Sequence, residues 1–281
     1  MPKFAIQIAY DGTDFCGWQI QKGVGKHLNK KPSIEGTITD AIGTLCGEKV
    51  TVISSGRTDA GVHASGQVAH FVLENCDIPV TNLLPGINRL LPDAIEIHQL
   101  AEVPDEFRAQ RTSRKQYSYY FQQGPADVPQ LKRYTMWNRR TLDVVLINQA
   151  LKYIVGRHDF FSFCSSGAKV SSTIREIFEA EATITPIPGP GLFDPDLQYL
   201  IRIRLVGSGF LKQMVRGIAG TLKQIGEKRR PPEDIIKILE SRSRDFVGPT
   251  AHASGLWLDK VWYPPQEGIE FLNQCPRQPK M

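Results

Sequence analysis

A single acid, Asp59, sits at the centre of Gly56-Arg57-Thr58-Asp59-Ala60-Gly61-Val62-His63-Ala64, bracketed by two glycines. The stretch before it, Val50 to Ser54, is β-branched, and the stretch after it, Gln67 to Leu73, reads as a buried strand. A loop between two strands is where a rigid scaffold presents a functional group. The glycines let the backbone turn, or approach a ligand, where a Cβ would obstruct. Two readings of Asp59 therefore stand side by side: a catalytic carboxylate, or a turn in which Thr58 and Asp59 bond to nearby backbone N–H groups.

Two other places carry residues suited to chemistry on a nucleic acid. Arg111, Arg114 and Lys115 lead into Tyr117-Ser118-Tyr119-Tyr120-Phe121, where Tyr117, Tyr119 and Phe121 share one face of a strand. Basic residues feeding an aromatic strand suit a single-stranded platform, with arginine on phosphate and a ring on a base, although such a face taken alone more often belongs to a core. Further on, Leu211, Met214, Val215, Ile218, Ala219, Leu222 and Ile225 form one apolar helical stripe closed by Gly226. Arg216 falls roughly 60° beyond the edge of that stripe, at about 100° per residue. From there it either reaches across the rim of a core to a partner or stays a solvated surface arginine. The adjacent His158 and Asp159 do not face each other in regular structure and read as structural.

Gly56 to Ala64, followed by Ser65-Gly66-Gln67-Val68, resembles the signature of the TruA-type tRNA pseudouridine synthases. Four other blocks are similar to that family: Tyr10-Asp11-Gly12-Thr13 with Phe15, Gly17, Trp18 and Gln19; Arg157 to Phe163; Gly209-Phe210-Leu211 with Met214-Val215-Arg216; and Gly248-Pro249-Thr250-Ala251 with Gly255, Leu256 and Leu258. The resemblance runs from Lys3 to Pro264. It implies that Asp59 is the catalytic aspartate, that Arg216 pairs with it, and that Tyr117 lies against the target uracil. Arg57, two residues before the acid, is assigned to occupy or brace the space that a flipped base vacates. The resemblance further implies two ferredoxin-like halves with a cleft between them, action on uridines at positions 38 to 40 of the tRNA anticodon stem-loop, and a homodimer that holds the tRNA jointly. Gln110 and Gln116 depart from the arginines common in the family, and the basic loop between Gln21 and Lys31 is longer than usual.

The chemistry so implied breaks a C–N glycosidic bond, turns the uracil and forms a C–C bond at the same sugar carbon. It involves no redox change, so no cofactor is expected, and no nucleotide fingerprint or metal-ligand spacing is evident. Other readings are a relative acting on other RNAs, a non-catalytic RNA-binding module, and an enzyme of small nucleosides, which would leave the basic loops without a role. Asp59, Tyr117 and Arg216 together favour the enzyme over the binding module.

Composition is compatible with all of these. A chain of 281 residues with 41% hydrophobic and 22% charged residues is that of an ordinary globular protein rather than a disordered one. A net charge of +5 permits a polyanionic partner without requiring one. Five cysteines without a C-x-x-C pair indicate neither zinc nor a redox dithiol and suit a reducing cytosol. No apolar run approaches the ~20 residues of a membrane helix, and the expected location is cytoplasmic.

Strands and helices mix in both halves, so the expected class is α+β with a mainly antiparallel sheet. The expected division is 1–108, an α+β domain with the Asp59 loop, then 109–265, a second α+β domain, then a poorly ordered tail, 266–281. Within the first, Lys3 to Tyr10 alternates as a half-buried strand, and a helix runs from about Ser33 to Gly47. Within the second, Thr141 is expected to cap a helix, the Arg216 helix to begin at Phe210, and Gln198 to Val206 to form a strand with Arg202 and Arg204 on its wet or partner-covered face. The basic groups Lys22 to Lys31, Arg111 to Lys115, Arg139-Arg140 and Lys228-Arg229-Arg230 are candidates for phosphate contacts.

Overall fold

The computed structural model describes residues 1–20, 31–165, 167, 170–187, 198–265 and 269. The expectations for the basic loop around Lys22 and for the tail fall outside those residues. Among the described residues the fold is α+β, with ten strands and five helices, and strand pairing is mostly antiparallel. No helix among them is long and apolar enough to cross a membrane. The chain divides into two compact units, residues 1–114 with those from 258 onward, and Lys115–Trp257.

The first unit contains β1 (Lys3–Tyr10), α1 (Ile34–Cys46), β2 (Ile53–Ser54), β3 (His63–Val72), α2 (Val80–Leu90) and β4 (Ile95–Val103). Strand β1 lies between β3 and β4 and is antiparallel to both, with Ile6 opposite Ala69 and Leu100. The half-buried alternation expected of β1 is corrected here, because Ala5 and Gln7 are as buried as Phe4, Ile6 and Ile8. The reason lies in the segment after β4. Phe107 packs edge-on against His70, the β3 partner of Ala5, and tilted against Tyr263, while Lys3 Nζ donates to the carbonyls of Asp105 and Phe107. Both faces of β1 are thereby covered.

Ser33 starts α1 by accepting the Gly36 N–H at 3.1 Å, and Gly47 ends it in the left-handed conformation at φ 71°. The strand expected over Val50 to Ser54 shrinks to β2, which pairs only with His70 and Ala69. Beyond that point β3 is neighboured by β10 (Leu256–Trp262), whose residues from Leu258 onward belong to this unit. A Cβ on Gly66 would meet the Asp259 carbonyl oxygen at 2.3 Å, so the close approach of β10 requires glycine there.

The second unit contains β5 (Arg114–Gln123), β6 (Met136–Asn138), α3 (Val144–Lys152), β7 (Gly156–Asp159), β8 (Ile174–Pro186), β9 (Tyr199–Gly207), α4 (Met214–Gly226) and α5 (Asp234–Ser241). Its strand order is β5-β9-β8-β7, antiparallel throughout, with β6 added parallel to β5. Helix α3 packs on α4 and on β8. Asp143, not Thr141, caps α3: its Oδ1 accepts the N–H groups of Val145 and Leu146 at 3.1 and 3.2 Å. A carboxylate one position before the helix reaches the free N–H groups of its first turn, whereas Thr141 lies too far out. Helix α4 begins at Met214 rather than Phe210, because Gln213 takes a left-handed φ of 62°. The stripe from Leu211 to Ile225 is buried as the spacing predicts.

His158 and Asp159 are structural, as expected. Asp159 accepts from the Phe161 N–H and the Thr173 hydroxyl and pairs with Arg242 at 2.8 Å. The arginines of β9 pair along a face that stays open to water: Arg204 binds the exposed Glu179 and Glu181 of β8 at 2.6 and 2.7 Å, and Arg202 donates to Ser118 Oγ of β5.

Candidate active site

Asp59 lies in the first unit, on the connection between β2 and β3. The Asp59 carbonyl accepts the Val62 N–H at 3.2 Å, closing a turn over Ala60 and Gly61. Gly61 has φ +76°, the value that the third position of a type II turn demands. Asp59 is half-buried, while Arg57 and Ala60 are exposed.

The rest of the loop is held from behind. Thr58 is buried, and its hydroxyl shares a 2.8 Å hydrogen bond with Tyr10 OH at the end of β1. Burial pushes the Tyr10 phenol up to about 12, with the Thr58 and Gln67 bonds pulling the other way, so the ring keeps its proton at neutral pH. The Thr58 carbonyl accepts the Trp18 N–H at 3.1 Å. Next to Trp18, Gly17 sits at φ +104°, and a Cβ there would lie 2.7 Å from Thr58 O and 3.0 Å from Ala60 N. The N-terminal block that contains Gly17 and Trp18 is thus the backing of the Asp59 loop.

Gln67, fully buried in β3, fixes the loop's entry. Its Nε2 donates to Gly56 O at 2.8 Å and its Oε1 accepts from Ser55 Oγ at 2.7 Å. Sequence reasoning passed over Tyr10 and Gln67 as site residues. No signal singled out Gln67, since His63 and His70 of the same strand are buried polar residues as well. Gly12 closes the other side: its N–H donates to His63 Nδ1 at 3.2 Å, and a Cβ would collide with Val62 O at 2.0 Å.

Tyr117 and Arg216 lie in the second unit. Tyr117 is half-buried on β5, opposite Leu205 of β9, with its ring edge-on to Phe210 at 5.1 Å. Its strand neighbour Tyr119 is buried, and its hydroxyl donates to His252 O at 2.8 Å. Burial pushes the Tyr119 phenol up, and the positive charge of Arg216 opposes this only in part. Arg216, half-buried on α4, donates from Nε to Ala251 O at 2.8 Å.

The Gly248 to Ala251 segment is seated on α4 by glycine. A Cβ on Gly220 would sit 1.7 Å from Pro249 O, and the Thr221 hydroxyl bridges Gly217 O and the Gly248 N–H. This block fixes where the Arg216 guanidinium stands. Burial and then nearby Arg175 lower the Lys115 amine to about 8. Arg139, Arg140, Lys223 and Arg229, with Asn138 and Glu227, line one open pocket. Two basic clusters far apart in sequence converge there.

Comparison with known proteins covers both units. A family model described as tRNA pseudouridine synthase matches residues 150–264. The tRNA pseudouridine synthase A of Syntrophotalea carbinolica is 37% identical over 265 residues, covering 94% of this chain and 97% of its own length. That of Anoxybacillus flavithermus is 38% identical over 265 residues, covering 94% and 99%. That of Bdellovibrio bacteriovorus is 37% identical over 276 residues, covering 97% and 98%. Similarity at this level, end to end in each pair, means that the chain belongs to the tRNA pseudouridine synthase family.

Proposed function

We propose that this protein isomerises uridine to pseudouridine at positions 38 to 40 of the tRNA anticodon stem-loop, with Asp59 as the catalytic carboxylate. The observation that carries the reading is the backing of the Asp59 loop: Thr58, Gly56 and Ser55 are each held from the protein side, leaving the acid half-exposed at the turn. A rigidly held reactive group gains the orientational part of catalysis before substrate arrives.

Every route to the exchange needs an ionised carboxylate where sugar and uracil join. An arginine beside it favours that charge state. Arg216 takes this role in the proposal, its position fixed by Ala251. Tyr117 packs on the uracil. Extracting the target base costs a few kcal/mol, and Arg57, exposed beside Asp59, braces the space it leaves. The pocket of Arg139, Arg140, Lys223 and Arg229 holds backbone phosphates.

The proposal includes two ferredoxin-like halves with the RNA cleft between them, a homodimer, and a cytoplasmic location. The chain order β1, α1, β3, α2, β4, with β1 between β3 and β4, supports the first of these.

The test is release of tritium from tRNA labelled at uracil C5, with wild type and Asp59→Asn compared, followed by mapping of the modified positions. Release by wild type alone supports the assignment. If neither protein releases tritium while both bind tRNA, the chain is an RNA-binding module.

A further inference from the structure

Cys46 and Cys76 are 30 residues apart and show no motif spacing, yet their sulfurs stand 2.8 Å apart in the first unit. Both are free thiols, and neither is fully buried. Cys46 is the last residue of α1, and Cys76 follows the end of β3. The approach is held by a separate contact. Glu48, two residues beyond the helix, accepts the N–H groups of Glu74 and Asn75 with both carboxylate oxygens at 3.1 to 3.4 Å. That carboxylate draws the segment after β3 onto the end of α1 and leaves Cys76 facing Cys46.

Two sulfurs at this separation need less than 1 Å of closure to reach the ~2.05 Å of an S–S bond. We propose that Cys46 and Cys76 form a reversible intramolecular disulfide when the protein meets a hydroperoxide. Cys76 attacks the peroxide, taking one oxygen to become a sulfenic acid as the O–O bond breaks. The Cys46 sulfur then displaces that oxygen, forming the S–S bond and releasing water. Overall two thiols and one hydroperoxide give one disulfide, one water and the alcohol left by O–O cleavage, which is a second water for hydrogen peroxide, and a dithiol reverses the exchange. Burial, then Cys76 itself and then Glu48, push the Cys46 thiol up to about 12, so the pair stays as thiols until an oxidant arrives. The bond ties the end of α1 to the exit of β3, the strand that leaves the Asp59 loop.

The experiment uses the full reduced chain treated with stoichiometric hydrogen peroxide, then alkylated and digested without reductant. The expected product is a single cross-linked pair of peptides carrying Cys46 and Cys76, with two of the five thiols lost and dithiothreitol restoring both. The oxidised protein should also melt higher by roughly 5 °C. In Cys76→Ser and, separately, Cys76→Ala, confirmed as folded by circular dichroism, Cys46 should stay alkylatable at the same dose and the melting shift should vanish. Full alkylation of both cysteines in the treated wild type would overturn the proposal. So would Cys46 or Cys76 bridged to another cysteine or to a second chain.

Discussion

Arg216 and Ala251 hold each other at both ends of one backbone exchange: Arg216 Nε donates to Ala251 O at 2.8 Å, and the Ala251 N–H donates to Arg216 O at 3.1 Å. The Gly248 to Ala251 segment thus behaves as a splint along α4, with a main-chain carbonyl holding the guanidinium at Nε.

If that splint positions the cation that the proposal sets beside Asp59, charge alone will not substitute for it. Arg216→Lys keeps a cation but loses the planar Nε donor to Ala251. Turnover under single-turnover conditions should fall by about 100-fold or more, with tRNA affinity changed far less. A lysine variant with near-normal turnover would show that geometry at this position is unimportant.

Gly17 offers a separate test of the loop's backing. Gly17→Ala forces a Cβ against the Thr58 to Ala60 backbone and strains a left-handed residue, with an expected loss of roughly 1–3 kcal/mol in stability and about 100-fold in kcat. Gly47→Ala supplies the contrast, since it is also left-handed, at φ +71°, but a Cβ there meets nothing within 4 Å. It should lose about 1 kcal/mol of stability and keep its kcat. Equal losses of kcat in the two variants would trace the defect to strain and not to the loop.

His70 ties stability to acid. Burial first, then the charges of Lys3 and Arg108, lower its imidazole from 6.5 to about 4, while the Ile53 backbone works the other way. Below pH 6.5 the unfolded chain takes up a proton that the folded chain takes up only near pH 4. Stability is therefore lost as pH falls through that window, by about 2 kcal/mol at pH 5. His70 Nδ1 also accepts the Ala109 N–H at 3.2 Å, so the replacement must keep an acceptor. Urea unfolding at pH 7.5 and pH 5 should show a smaller drop for His70→Gln than for wild type.

RNA affinity is expected to fall with salt by about 0.9 log units per log unit for each phosphate neutralised on a duplex stem. Replacing Arg139, Arg140 and Arg229 together by glutamine should reduce that slope by about 2 to 3 and raise KM for tRNA. An unchanged slope would remove this pocket from the RNA path.

Local chemistry made much of the fold legible in the sequence. Ser33 and Gly47 bound α1 because capping and left-handed termination are decided by the residues themselves. Where tertiary contacts decide, sequence reasoning failed. Gln213 adopts a left-handed turn that glycine would normally take, so α4 starts late. Ala5 and Gln7 are as buried as the apolar residues beside them, which strand alternation alone does not foretell. At the site, the loop of Asp59 stood out by its glycines, whereas Gln67 and Tyr10 did not, since their roles arise from strand pairing. The Cys46–Cys76 approach had no signal at all, because Glu48 and a packed turn create it.

The return of β10 to the first unit sets a clock on synthesis. Strand β3 emerges early, but the neighbour from Leu258 onward comes only after the whole of Lys115–Trp257 has been made. At ribosomal rates of about 5–20 residues per second, that leaves the β3 edge waiting for roughly ten to forty seconds on every nascent chain. During that interval the strand that follows the Asp59 loop presents open hydrogen-bonding groups, a natural station for a holding chaperone and the most exposed moment in the life of the protein.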